Sequence, residues 1–289
     1  MEHQRLLTVC IIGKPNAGKS TLLNRVIGQK ISIVSPKVQT TRSMITGIVT
    51  LGDTQLVLFD TPGIFEAKRK LEKFMVRCAW SSLNSADIVV LILDSSVKID
   101  KITIDIISRL KELSKNVVFL LNKIDLNSRC YIDNLTYLNE QCPAATKFNI
   151  SALKGSGVDG FVSFLKANAK NTPWLYESDD MTNLPMRFLA AEITREQLFI
   201  QLDQELPYNL TVENESWKVQ KDGSVKVNQV IIVSKEGYKT IIIGKGGERI
   251  KEIGTKARLN MENLFGVKIH LFLFIKVRKS WEDTACIAI

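Results

Sequence analysis

Over the first 170 residues, apolar runs of strand length alternate with stretches of helical spacing. Runs at 6–12, 46–51, 55–59, 86–93, 117–121 and 147–150 are dense in Val, Ile and Leu, the pattern of strands buried on both faces. Between most of them, 20–27, 68–83, 102–113, 131–140 and 158–169 carry apolar residues at helical intervals. This order predicts an α/β domain over 1–170, a mostly parallel sheet with helices on both faces. Ligands of such sheets bind at the carboxyl ends of the strands. The pattern stops after Ala169. A stretch at 171–185 with Glu177, Asp179 and Asp180 reads as an acidic linker. From 186 to 289 the pattern changes to α+β: a helix at 187–205, strands at 210–215 and 226–233, a helix at 239–243, a glycine loop, a helix at 248–264 and a strand at 267–277.

Charge sharpens this division. The 289 residues carry a formal net charge of +9, but it is unevenly spread: net +9 over 1–170, −7 over 171–216 and +7 over 217–289. A basic carboxyl-terminal region suggests an anionic partner. The five cysteines, Cys10, Cys78, Cys130, Cys142 and Cys286, have no metal-ligand spacing and read as reduced thiols. With only His3 and His270, a histidine-rich zinc site is not expected. The amino-terminal residues lead straight into a strand pattern without a signal peptide, and no apolar run is long enough to span a bilayer.

The chemistry begins at Gly13-Lys14-Pro15-Asn16-Ala17-Gly18-Lys19-Ser20-Thr21, between the first strand and the first helix. This is the spacing of a phosphate-binding loop. Gly13 and Gly18 let successive N–H groups converge on one anion, and the following helix adds its positive end. Lys19 is placed to reach the β- and γ-phosphates, and Ser20 to hold Mg²⁺. Asp60-Thr61-Pro62-Gly63 ends the third strand, where Asp60 can bind Mg²⁺ and the Gly63 N–H can approach the γ-phosphate. Asn122-Lys123-Ile124-Asp125 ends the fifth strand. Asp125 can accept from guanine N1–H and the 2-amino group, Asn122 can serve the O6 side and brace the loop, and the Lys123 stem can cover the base. The backbone of Ser151-Ala152-Leu153, after the sixth strand, can approach guanine O6. Each motif is weak or moderate alone, but their order at successive strand ends points to GTP. In the second module, Gly244-Lys245-Gly246-Gly247 lies between two helices. Alone this could be an ordinary helix-helix turn, but in this context it resembles the Gly-x-x-Gly loop of a KH module, which implies a clamp for about four nucleotides of single-stranded nucleic acid, with Lys245, Arg249 and Lys251 available to phosphates.

The order of these motifs resembles the translation-factor-like class of small GTPases, in which Gln39-Thr40-Thr41-Arg42 matches the switch segment whose threonine meets Mg²⁺ and the γ-phosphate. That role falls to Thr41, with Thr40 as the alternate. Ile64 follows Asp-Thr-Pro-Gly where Ras-like proteins place a water-positioning glutamine. The resemblance is therefore to members with a hydrophobic residue there, and it implies slow unaided hydrolysis. In several of these a phosphate-loop asparagine, here Asn16, holds a potassium-type cation; a plain turn-forming role is the other reading. The second module resembles the type II KH fold. A GTPase domain followed by a type II KH domain resembles the Era family, along nearly the whole chain. Further matches are Glu205-Leu206-Pro207-Tyr208, Ala257-Arg258 and Lys276-Val277 before Trp281.

The resemblance implies a GTPase binding GTP, GDP and Mg²⁺, with catalytic roles for Lys19, Thr41 and Asn16. It implies a partner, the 3′ end of small-subunit (16S) ribosomal RNA, and a role in 30S subunit assembly. It also implies weak peripheral membrane contact; the reduced thiols imply a cytoplasmic protein, and a monomer is expected, although the sequence does not give the oligomeric state. The alternative is a constitutive RNA-binding protein whose nucleotide site is structural and does not turn over; a GTP-dependent tRNA-modification partner is opposed by the KH module. The chain departs from the family at 233–239, ahead of the glycine loop, and in the short apolar tail 282–289.

Overall fold

The computed structural model describes residues 4–113, 116–279 and 281, so the tail at 282–289 lies outside the described residues. The chain forms two compact units, one of Met1–Ser32 with Thr41–Asn183 and one of Ile33–Thr40 with Leu184–Ile289.

The first unit runs β1 (Arg5–Ile12), α1 (Lys19–Ile27), β2 (Ile45–Leu51), β3 (Thr54–Asp60), α2 (Lys70–Ser81), β4 (Ile88–Asp94), α3 (Lys101–Glu112), β5 (Val117–Asn122), α4 (Cys130–Gln141), β6 (Lys147–Asn149), α5 (Val158–Ala167) and β7 (Lys170–Asn171). The sheet order is β2-β3-β1-β4-β5-β6, with β7 on β1. All pairings are parallel except β2 on β3 and β7 on β1. The central strands are apolar on both faces because both faces are covered: Val9 to Ile12 and Val90 to Ile92 are fully buried. On one face, Ala79 of α2, Ile106 and Leu110 of α3 and Leu138 of α4 pack with Cys10, Leu91 and Phe119. Burying each of the isoleucine, leucine and phenylalanine side chains among these stabilises the fold by about 1.5–3 kcal/mol before conformational entropy is counted. Local signals fix the ends: Asp100 caps α3 by accepting from Thr103 N, and Gly28 closes α1 at φ 80°.

The second unit runs α6 (Met186–Gln201), β8 (Leu210–Val219), β9 (Val225–Val233), α7 (Glu236–Ile243), α8 (Glu248–Phe265) and β10 (Ile269–Val277). Strand β9 is central, antiparallel to β8 and parallel to β10. The parallel pair requires a crossover, and α7, the glycine loop and α8 supply it. Leu198 of α6 and Ile253 of α8 pack with Val212 and Ile231, and Ala190 and Met261 with Val227 and Ile269. The protein is thus a P-loop α/β domain followed by an α+β KH fold.

Several expected boundaries shift by a few residues, two of them by four. Strand β8 continues past 215 because a register shift between Asn214 and Ser216 interrupts its alternation without ending the pairing. Helix α6 stops at Gln201, since Leu202 is extended (φ −105°, ψ 145°), and a short 3-10 turn at Leu206–Asn209 follows. The acidic stretch expected as a linker is largely built into the first unit. Leu175 N and Tyr176 N donate to Gln55 Oε1 (3.0 and 3.1 Å), Ile48 N donates to Met181 O (2.8 Å), and Thr182 Oγ1 donates to Thr46 O (2.6 Å).

Candidate nucleotide site and RNA clamp

The phosphate loop leaves β1 at the carboxyl edge of the sheet. Gly13 has room only for hydrogen: a Cβ there would lie 2.4 Å from the Ile92 carbonyl oxygen. Asn16 turns the loop in the left-handed region (φ 60°), which asparagine tolerates. Lys19 is buried, and its Nζ donates to the carbonyls of Gly13 (3.3 Å) and Lys14 (2.9 Å). Burial pulls its pKa down to about 8, while the nearby Asp60 charge pushes the other way. Thr21 follows in the first turn of α1.

Asp60, at the end of β3, is fully buried. Burial raises its pKa, against the opposing effects of Lys19 and of hydrogen bonds from Ser20, Ser32 and Thr41. Its Oδ2 accepts from Ser20 Oγ (2.6 Å) and Ser32 Oγ (2.8 Å), and its Oδ1 has no hydrogen-bond partner. Thr41 Oγ1 lies 3.0 Å from Ser20 Oγ, whereas Thr40 Oγ1 donates to Lys37 O (2.8 Å). The structure therefore brings Thr41, not Thr40, to Ser20 and Asp60. One carboxylate with an unpartnered buried oxygen and two hydroxyls make a hard-oxygen set that fits Mg²⁺. Gly63 lies against the loop, where a Cβ would meet Pro15 N at 2.8 Å. Ile64 is buried among Cys10, Ile12 and Leu91, and its N donates to Gly13 O (3.0 Å). An apolar side chain in the core cannot orient water. Beneath the loop, burial, with Asp60 adding to it, pushes the Cys10 thiol up to about 12.

Asn122 at the end of β5 joins three segments. Its Nδ2 donates to Ala17 O (2.8 Å) and its Oδ1 accepts from Ala152 N (2.9 Å). Its primary work is bracing, and it also engages one backbone N–H of Ser151-Ala152-Leu153. Ser151 is buried with its Oγ accepting from Lys154 N (3.0 Å), and Leu153 is exposed. Lys123 is in the left-handed region (φ 66°), and Asp125 follows, half-buried, in a 3-10 turn. Sequence reasoning missed Ser32, which touches Asp60, and Arg25, whose guanidinium donates to Ala152 O (3.2 Å) and Leu153 O. Neither lies in a motif; the fold alone brings them to the site.

In the second unit, Gly244, Gly246 and Gly247 have φ of 73°, 60° and 82°, and the loop opens directly into the amino end of α8. Lys245, Arg249 and Lys251 are exposed. Arg249 also donates to Ile241 O (2.9 Å), closing the end of α7. A glycine turn at a helix amino terminus, with Gly246 exposed and cations flanking it, suits a sugar-phosphate backbone. Residues Ile33–Thr40 cluster with this unit: Val34 N donates to Glu196 Oε1 (2.8 Å), and Lys37 Nζ donates to Phe199 O (2.8 Å) and Leu202 O at the end of α6.

A glycine-lysine-serine loop, a cluster of hard oxygens at Asp60, Ser20 and Thr41 and the Asn122–Asp125 turn on one sheet edge match a P-loop GTPase, here carrying a KH fold. Sequence profiles agree: that of the 50S ribosome-binding GTPases matches residues 8–123, and that of the KH domain matches 205–282. The chain is 60% identical over 283 residues to the GTPase Era of Rickettsia conorii, covering 98% of this chain and 84% of that one. It is 46% identical to the GTPase Era of Bradyrhizobium sp., covering 95% and 90%. Among solved structures, Era in complex with MgGDPNP and nucleotides 1506–1542 of 16S ribosomal RNA superposes with a TM-score of 0.92 at 35% identity, covering 97% and 96%. A single-residue variant of Aquifex aeolicus Era bound to GDP and AlF4⁻ gives the same TM-score and identity, covering 96% of each. The chain belongs to the Era family of GTPases.

Proposed function

We propose that this GTPase is a nucleotide-operated clamp for the 3′ end of 16S ribosomal RNA, acting in 30S subunit assembly. The observation that supports it most is whole-chain similarity to an Era structure holding that RNA segment, together with an open Gly244–Gly247 loop flanked by Lys245, Arg249 and Lys251. In this reading the N–H groups of the 13–18 loop and the Lys19 ammonium bind the β- and γ-phosphates. Lys19, whose Nζ donates to two loop carbonyls, would give those bonds to phosphate oxygens, whose negative charge favours the ammonium in a buried place. Asp60, Ser20 and Thr41 would hold Mg²⁺, which when bound neutralises charge on the phosphate oxygens. Thr41 and Gly63 report the γ-phosphate to their flanking segments.

Ile64 offers no group to orient the attacking water, so hydrolysis is slow unaided. Asn16, exposed at the turn of the phosphate loop, is the residue we assign to a potassium ion beside the transferring phosphate. Asp125 selects guanine. The protein works as a cytoplasmic monomer that contacts anionic lipid peripherally through its basic surface; no helix among the described residues is long and apolar enough to cross a membrane.

Base selection tests the assignment of the site. Asp125→Asn should weaken GTP by roughly 1.5–3 kcal/mol, the scale of a hydrogen bond to a charged group. It should strengthen xanthosine triphosphate, whose C2 oxygen accepts from the new amide. Unchanged GTP affinity in a competition titration would overturn the reading.

A further inference from the structure

The loop from 94 to 100, between β4 and α3, belongs to none of the motifs, yet its two carboxylates hold two lysines of the nucleotide site. Asp100 pairs with Lys14 of the phosphate loop, and Asp94 Oδ2 pairs with Lys123 Nζ at 2.5 Å. We propose that Asp94 is a positioning residue for guanine binding: it fixes the Lys123 ammonium so that the lysine's methylene stem forms one wall of the base pocket.

Four observations carry this. First, Asp94 ends β4 in register with Asn122, so it stands level with the base-reading loop. Second, its two oxygens are divided. Oδ1 accepts from Ser96 N (2.9 Å) and Ser96 Oγ (2.5 Å), which orients the carboxylate and leaves Oδ2 for Lys123. Third, the loop is fastened on both sides of Lys123. Ser95 N and Oγ donate to Asn122 O (2.9 and 2.6 Å), and Ser128 Oγ donates to Ser96 O (3.0 Å). Fourth, Lys123 has a left-handed backbone (φ 66°, ψ 33°), unfavourable for a lysine and kept only where surroundings impose it. Although partial burial raises the Asp94 pKa, the bonds from Lys123 and Ser96 outweigh it and the net shift is downward, so the carboxylate is charged at neutral pH.

A purely structural role fits less well. The side chains of Lys123 and Asp94 are 31% and 20% exposed, so the pair keeps some access to water and its attraction is offset in part by desolvation, which limits what it adds to folding. What the pair does fix is the course of a long, flexible side chain across the place where a base would lie, which lowers the ordering cost of binding.

This inference rests on the guanine-site reading of the Asn122–Asp125 segment. The test measures GTP, GDP and inosine triphosphate affinity, with steady-state turnover, for the full chain and its variants. Asp94→Asn should weaken all three nucleotides by a common factor of roughly ten, the lower end for a lost hydrogen bond to a charged group. KM should rise with kcat held, because a wall of the base pocket acts alike in ground and transition states. Lys123→Ala should weaken binding similarly, and the double variant no further, since the two act as one unit. Asp94→Glu should recover part of the loss. Full affinity in Asp94→Asn, losses that add in the double variant, or a fall in melting temperature with affinity unchanged would each overturn the proposal. Equal binding of ATP and GTP by the unaltered protein would instead overturn the guanine-site reading beneath it.

Discussion

The two glycine loops of this protein use the same residue for different reasons. At the phosphate loop, glycine is required by protein atoms already in place: a Cβ at Gly13 would lie 2.4 Å from the Ile92 carbonyl oxygen, and one at Gly63 would lie 2.8 Å from Pro15 N. At the KH loop nothing lies within 4 Å of a Cβ at Gly246 or Gly247. The first loop is shaped by packing against fixed neighbours. In the second, Gly244 is hemmed in by Arg249, whose Cβ would lie 2.7 Å from an added Cβ, while Gly246 and Gly247 are set by their backbone angles and kept clear for what approaches from outside. Packing in the first lowers the cost of binding a small, highly charged ligand; openness in the second admits a polymer.

The largest effect should follow a substitution where packing imposes glycine. Gly13→Ala should reduce GTP affinity more than a hundredfold and destabilise the first unit by roughly 1–3 kcal/mol, the scale of overpacking. Calorimetry and thermal melting check both; wild-type binding would mean the loop is softer than its contacts indicate. Gly246→Asp should sharpen the contrast from the other side. The site has room for a side chain, and aspartate tolerates φ near 60°, so the fold and GTP affinity should persist. Binding to a short single-stranded RNA should fall at least tenfold, through like-charge repulsion and steric block. Simultaneous loss of GTP binding would erase the distinction between the loops.

A smaller effect concerns Asn16. Turnover should be several-fold faster in potassium than in sodium at equal ionic strength, and Asn16→Ala should remove the difference. Equal rates in both salts would return Asn16 to a turn-former. The smallest effect joins the two regions. Lys37 fastens the segment before Thr41 to the end of α6. RNA should bind with different affinity in the presence of GDP and of a non-hydrolysable GTP analogue, by a coupling of roughly 1–3 kcal/mol, reciprocal between ligands. Lys37→Ala should shrink that ratio. A ratio of one in the unaltered protein would mean the regions are merely tethered.

What can be read from the sequence is what is contiguous along it. Gly13–Thr21, Asp60–Gly63, Asn122–Asp125 and Ser151–Leu153 announce themselves because strand ends are local features, and their order identifies the sheet edge they share. The partners that hold them do not. Ser32 reaches Asp60, Arg25 reaches Ala152, and Asp94 and Asp100 reach Lys123 and Lys14 only after the sheet is assembled. A serine or aspartate in a loop carries no local mark of such duty. The choice between Thr40 and Thr41 is likewise open until backbone direction turns one toward Lys37 O and the other toward Ser20. The acidic stretch differs from its expected form for a related reason. Its composition is that of a linker, and composition says nothing of hydrogen bonds to Gln55, Thr46 and Ile48.

Those hydrogen bonds have a consequence for how the first unit guards its edge. Strand β2 is the outermost strand of its sheet, and an outermost strand offers unpaired N–H and C=O groups to any passing chain. Here Met181 takes the Ile48 N–H and Thr182 takes the Thr46 carbonyl, so the chain closes its own border with a segment bearing Glu177, Asp179 and Asp180. A fragment ending at 170 would lose that guard and present a bare apolar edge, prone to pair with copies of itself. One ending at 183 would retain it, although it would also carry Ile33–Thr40, which belong to the second unit.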